Sequence, residues 1–191
     1  MIRFARYALA AGLLAVAAPA AAQYPDPAPR IAAQREAMGR LAFMDGVWRG
    51  PAWSLAAGGR REMIQTERMG PMLGGAIRVM EGRGYTPDGN VAFNAFGIVS
   101  YDPDRRAYSL TSYALGHHAT VPLTLTDTGF VWETPAGPGA IIRYTATIRD
   151  GTWHEVGERI APGQPPLRVV ELNLRRVGDS DWPSAGAVPM R

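Results

Sequence analysis

The sequence predicts an all-β protein: a single antiparallel up-and-down β-barrel of about ten strands, preceded by a short N-terminal helix. Three observations predict it. Turn chemistry recurs at TPDGN (86–90), DPDRR (102–106), TDTG (126–129), PAGPG (135–139) and RDGT (149–152), each supplying Gly, Asp or Pro where a chain reverses. Several of the runs between these turns alternate apolar and polar residues, the period of a half-buried strand. No stretch after residue 46 carries a helical pattern, although MGPMLGG (69–75) can hold a short turn. Strands joined only by hairpins form a meander, and a meander this long hides its two edges most simply by closing.

The elements follow in order. MIRFARYALAAGLLAVAAPAAAQ opens with Arg3 and Arg6, continues through a short apolar run, and ends in small residues, the pattern of a secretory signal peptide over 1–22. The apolar run is shorter than the roughly 20 residues a membrane-spanning helix needs. The mature chain is therefore expected to be exported, to the periplasm, with no transmembrane segment. QYPDPAP (23–29) is an extended, Pro-rich lead-in. Arg30 to Met44 reads as a helix with Ile31, Met38, Leu41 and Ala42 along one stripe. Strand runs then fall at 47–55, 60–69, 76–83, 91–101, 107–115, 119–126, 129–134, 139–149, 153–161 and 167–177, so the barrel domain spans 30–177. A flexible tail is expected over 178–191.

Alternation fixes the inward face where it is clean. Val121, Leu123 and Leu125 share one face, as do Ile142, Tyr144, Ala146 and Ile148, and Val170, Leu172 and Leu174. Strands 60–69, 76–83 and 91–101 carry apolar residues on both faces, which leaves their phase open and their outer side available to the helix or a partner. In the first strand Trp48 is in phase with Gly50, Ala52 and Ser54, so one large plug is expected at the strand's start with little side chain above it. Arg176 is in phase with Leu174 at the end of the last strand. Arg176, or its neighbour Arg175, is expected to stack on the Trp48 indole at the closed end.

Composition removes some partners. There is no Lys; two of the 20 Arg lie in the leading segment, and 17 acids balance the rest. No basic run or stripe exists, which argues against nucleic acid. Cysteine is absent, so an exported chain must be held by core burial alone.

Residues Gly46-Val47-Trp48 after a short helix, with Arg175-Arg176 ending the last strand, resemble the lipocalin and fatty-acid-binding superfamily. More narrowly, LAFMDGVWRG, GPMLGG and GIVSYDPDRRAY look like a family of bacterial lipocalin-like (calycin-type) domains of unknown function, similar in architecture to the haem-binding nitrobindins. The resemblance implies a barrel with a pocket and no particular reaction. In nitrobindins a strand near the C-terminus presents a His to the haem iron. The matching stretch here, LRVVELNLRRV (167–177), has none, and haem iron needs a strong axial donor. Haem is thus an alternative that depends on His154 of the adjacent strand.

The leading functional expectation is a cavity that binds a small apolar or amphipathic molecule. His154 and Glu158, read as inward with Val156 and Ile160, are candidate anchors for a ligand head group. Phe130, Trp132 and Tyr144, in phase with the interior, are candidate ligand contacts or plain core. A barrel enzyme using His154 as acid or base is a further alternative, which needs a close partner for that imidazole. No metal site is expected. His117 and His118 are consecutive in the turn LGHHAT, and Asp102 with Asp104 supply too few oxygens for calcium.

Overall fold

The computed structural model describes residues 25–183, 188 and 190. The expected signal peptide lies outside the described residues, as does most of the C-terminal tail. Ten strands form one closed antiparallel barrel in which each pairs with its chain neighbours and the last pairs with the first. They are β1 (Gly46–Ala56), β2 (Gly59–Met72), β3 (Ile77–Tyr85), β4 (Val91–Asp102), β5 (Ala107–Ala114), β6 (His117–Thr126), β7 (Gly129–Pro135), β8 (Ile141–Arg149), β9 (Thr152–Ile160) and β10 (Leu167–Gly178). The all-β barrel read from turn spacing is the fold observed. His117 and His118 correct one detail: they open β6 instead of sitting in the turn, because Leu115 and Gly116 alone make the reversal.

The expected single helix is two pieces. An α-helix, α1 (Ala28–Gly39), is followed by a short 3-10 turn over Ala42–Met44. Met38, Leu41 and Met44 are buried against the barrel end, whereas Ile31 and Ala42, placed on the same stripe by a continuous helical period, are exposed. The break after Gly39 changes the phase. Asp45 of the following residue pair accepts from Arg78 at 2.8 and 3.0 Å, and Arg78 also donates to the Met38 carbonyl. The Tyr108 hydroxyl donates to Ala37 O at 2.9 Å, and Gln34 reaches Tyr101 O. These bonds fasten the helix across one end of the barrel.

That end is the packed core. Trp48, Met69, Val99, Leu110, Leu123, Phe130, Ile148, Trp153 and Leu174 meet beneath Met38, Leu41 and Met44. Gly46 enters β1 at φ +117°, and a Cβ there would fall 2.6 Å from Gly178 O and 2.7 Å from the Arg176 guanidinium. The glycine before Trp48 is thus required twice, by backbone conformation and by space. Trp48 is 1% exposed, and its indole N–H donates to Met44 O at 2.9 Å.

The expected stack of arginine on Trp48 is not the contact it makes. Trp48 and Arg176 are register partners, but the Trp48 ring meets Trp153 edge-on, with centroids 5.7 Å apart. The Arg176 guanidinium passes over Gly46 to donate to Asp45 O and Asp179. Arg175 points to the outer face and donates to Thr152 Oγ1. A large aromatic supplied by β9 fills the place that the sequence reading assigned to an arginine.

Pairing resolves the three ambiguous strands. Met69 faces Met80, Glu67 faces Gly82, and Gln65 faces Gly84 on the inside. Val79, on the outside opposite Gly70, is nevertheless buried. Gly70 lies against the Trp182 carbonyl and Pro183, and the Trp182 ring sits under the Arg68 guanidinium, 4.5 Å from its centroid. The first residues after β10 therefore return to the outer wall of β2.

Candidate functional site in the barrel interior

Above the packed end the interior changes character. Glu67, Trp132, Tyr144 and Leu172 all point inward but are only half-buried, so water-sized free space reaches them. The inward glycines of β3, β4 and β9 do not simply leave a void. They make room for neighbours. A Cβ on Gly82 would fall 2.6 Å from the Glu67 carboxylate, one on Gly97 2.7 Å from Met80, and one on Gly157 3.0 Å from the Tyr144 ring.

Two carboxyls occupy this region. Glu155, 7% exposed, accepts from the Trp153 indole N–H at 3.0 Å. Glu67 accepts from Gln65 Nε2 at 2.7 Å, and Gln65 itself is 2% exposed. Among the described residues neither acid makes an ion pair. Burial disfavours the charged form. It pushes Glu67 up to about 8 against the pull of Gln65, with Glu155 and Glu81 adding charge repulsion. Burial likewise pushes Glu155 up to about 6, against hydrogen bonding by Trp153 and Trp132. Trp132 and Tyr144, cross-strand partners on β7 and β8, stack face to face at 4.0 Å with 7° between planes. The Tyr144 phenol is pushed up to about 12 by burial and by Glu155. Phe130 lies lower, edge-on to Trp153 in the packed core.

His154 and Glu158 are elsewhere. Their expected inward phase is corrected by the β9 register: Trp153, Glu155 and Gly157 face the interior, so His154, Val156 and Glu158 face outward. The His154 ring lies on the outer wall with Nε2 3.0 Å from Glu171 Oε1, and Glu171 also accepts from Trp53 Nε1 at 3.1 Å and Arg168 at 3.3 Å. The His154 bond, the largest influence, with those from Trp53 and Arg168 holds Glu171 down to about 2 despite partial burial. An imidazole outside the wall cannot act on a molecule inside it, which removes the route to interior acid–base chemistry through His154.

The same correction bears on haem. His154 and His118 face outward, His118 stacked on Tyr113, and His117 is exposed at the first position of β6. A histidine-ligated haem inside the barrel thus has no imidazole at mid-barrel, and the residues present do not fit it. Elsewhere, an open cleft of about 480 Å³ crosses the outer wall where β4 meets the β5–β6 hairpin, lined by Asn94, Phe96, Tyr113 and His118 among others. Among the described residues no group of His, Asp and Glu is placed to hold a metal ion, and no helix is long and apolar enough to cross a membrane.

No protein-family model matches the chain, and no curated protein matches it. Among solved structures it is similar to Rv2717c from M. tuberculosis, with a TM-score of 0.56 and 14% identity over 73% of this chain and 96% of that one. At that identity the likeness extends to the fold and no further. The class that fold and interior define together is a closed ten-stranded barrel with one sealed end.

Proposed function

We propose that the protein is a binding barrel, exported to the periplasm, that takes a small apolar or amphipathic molecule into its interior from the end opposite α1. One observation carries this reading: inward-facing Glu67, Trp132, Tyr144 and Leu172 remain partly accessible, while the α1 end is fully packed. A closed fold with no ligand role has no use for two interior acids without a counter-charge, since enclosing a charge away from an opposite one opposes folding. Native mass spectrometry on protein purified from the organism that makes it tests the reading. A retained small molecule, lost on denaturation, is the expected result. A bare chain whose melting temperature is also indifferent to octanol or other apolar probes overturns it.

A further inference from the structure

We propose that the interior site binds an amphipathic organic cation, an alkylammonium, with its head between Glu67 and Glu155 and its alkyl part against the Trp132–Tyr144 pair. This rests on the binding-barrel reading and names the ligand class.

The case begins with charge. Glu155 is buried and Glu67 half-buried in the barrel interior, and neither has a cationic partner among the described residues. Buried carboxyls are ordinarily paired with a cation, because isolation in a low-dielectric interior is costly. Their register partners and the next inward positions toward the rim hold Trp48 and Gly50 on β1, Gly82 and Gly84 on β3, Ala146 and Tyr144 on β8 and Leu172 on β10, none of them cationic. Inward-phase Arg159 and Arg61 stand four and six residues nearer the open rim on β9 and β2. At strand rise that is roughly 13 and 20 Å away along the strands.

A second, independent observation is an amide. Gln65 is 2% exposed and donates through Nε2 to Glu67, but its Oε1 accepts no hydrogen bond among the described residues. No side-chain N or O among the described residues is both sealed from solvent and without a partner, so this oxygen opens to the interior space, where a ligand donor can reach it. An alkylammonium supplies three N–H donors and one positive charge, which answers the amide and the acids together. The aromatic pair completes the match. Trp132 and Tyr144 stack on each other beside Glu155, an apolar wall against which the alkyl part of such a ligand packs. An anionic head would meet the opposite field, and a neutral alcohol could satisfy the amide but not the charge.

Isothermal titration of the mature chain with octylamine, octanol and octanoate at pH 7.5 decides it. Octylamine should bind at least about tenfold more tightly than octanol, with octanoate weakest. Glu155→Gln should weaken octylamine by about tenfold or more and leave octanol within about twofold. Gly82→Ala, which puts a methyl where the Glu67 carboxylate lies, should reduce the same preference without removing either acid. The wild-type ranking is informative even if a variant fails to fold. Equal binding of the amine and the alcohol, or tightest binding of octanoate, overturns the inference and leaves the binding barrel standing. Binding of none of the three overturns both.

Discussion

Three glutamates in this barrel separate its two surfaces. Glu67 and Glu155 face the interior with neutral partners, Gln65 for one and Trp153 for the other, and burial raises both. Glu171 faces outward among His154, Trp53 and Arg168, and those donors hold it down to about 2. The residue type is the same, and Glu155 and Glu171 stand on adjacent strands, β9 and β10. What differs is whether solvent is replaced by donors and charge or by nothing equivalent. The outer arrangement stabilises the fold where it stands. The inner one is at odds with folding, which is the usual mark of a site kept for binding or chemistry.

The largest test of that contrast uses two tryptophans on β1. Trp48 points in and Trp53 points out, five residues away, where it donates to Glu171 and lies under Arg60. Trp48→Ala should cost about 3–5 kcal/mol, the range for emptying a large core site. Trp53→Ala should cost about 1 kcal/mol, since the wall there is half solvated. Denaturant unfolding of both variants checks this. Similar losses would mean that the outer wall is as tightly packed as the sealed end.

The next effect is a pH dependence of opposite sign on the two surfaces. Glu67 has a folded value near 8, above the ordinary carboxylate value of 4.5 that it has when unfolded. The folded state therefore holds its proton longer, so stability is full below about 4.5 and is lost as pH rises toward 8. Glu155 adds a smaller loss between 4.5 and about 6. Facing Glu67 are Gln65, Glu155 and, across the sheet, Glu81. Glu67→Gln keeps the shape of the neutral acid and should flatten the curve. Relative to wild type, it should gain on the order of 2–4 kcal/mol between pH 5 and pH 9. Thermal melts across that range measure it, and parallel curves for the two proteins would refute a buried, unpaired Glu67.

Much of this was legible in the sequence, and the part that was missed has a definite cause. Turn chemistry and period-two runs located all ten strands, because hairpin loops carry residue types that strands avoid. The inward phase expected for His154 and Glu158 on β9 fails because TWHEVGERI has apolar residues on both faces, Val156 and Ile160 on one and Trp153 on the other. The signal that settles it lay in the turns. Asp150-Gly151 is a two-residue reversal, so Arg149 pairs with Thr152 and Ile148 with Trp153. Cross-strand partners share a face, and an inward Ile148 therefore requires an inward Trp153 and Glu155. The same counting across Ala57-Gly58 pairs Trp48 with Glu67 and brings the second acid inside. The Trp48–Trp153 contact could not be counted in this way. It depends on β10 lying between β1 and β9, that is, on closure, with side chains meeting across the lumen.

On the outer wall the sign reverses. Glu171 has a folded value below its unfolded one, so its contribution is present above about 4.5 and disappears as pH falls toward 2. Glu171→Gln should cost about 1–2 kcal/mol at pH 7, the scale of charged hydrogen bonds discounted for partial exposure. The deficit should shrink on acidification, because below about 4.5 the unfolded wild-type chain takes up a proton that the folded carboxylate still refuses. Chemical denaturation at pH 7 and pH 3 compares the two. A deficit that is the same at both pH values would show that shape, not charge, holds His154 and Trp53 in place.

The smallest expected effect is at His154, and it closes the question that the family resemblance opened. His154 is on the outer wall with 44% of its side chain exposed, and its bond to Glu171 is one of three that Glu171 accepts. His154→Ala should therefore cost less than about 1 kcal/mol. It should also leave the response to haemin unchanged, because its imidazole is separated from the interior by the sheet itself. Titrating haemin into wild type, His154→Ala and a His117/His118 double variant while following the Soret band tests the second point. The expected outcome is the same broad, unsaturable change in all three proteins. A sharp one-to-one shift lost only in His154→Ala would place that ring inside the barrel. The β9 register, and with it the interior position of Glu155, would then have to be wrong by one residue.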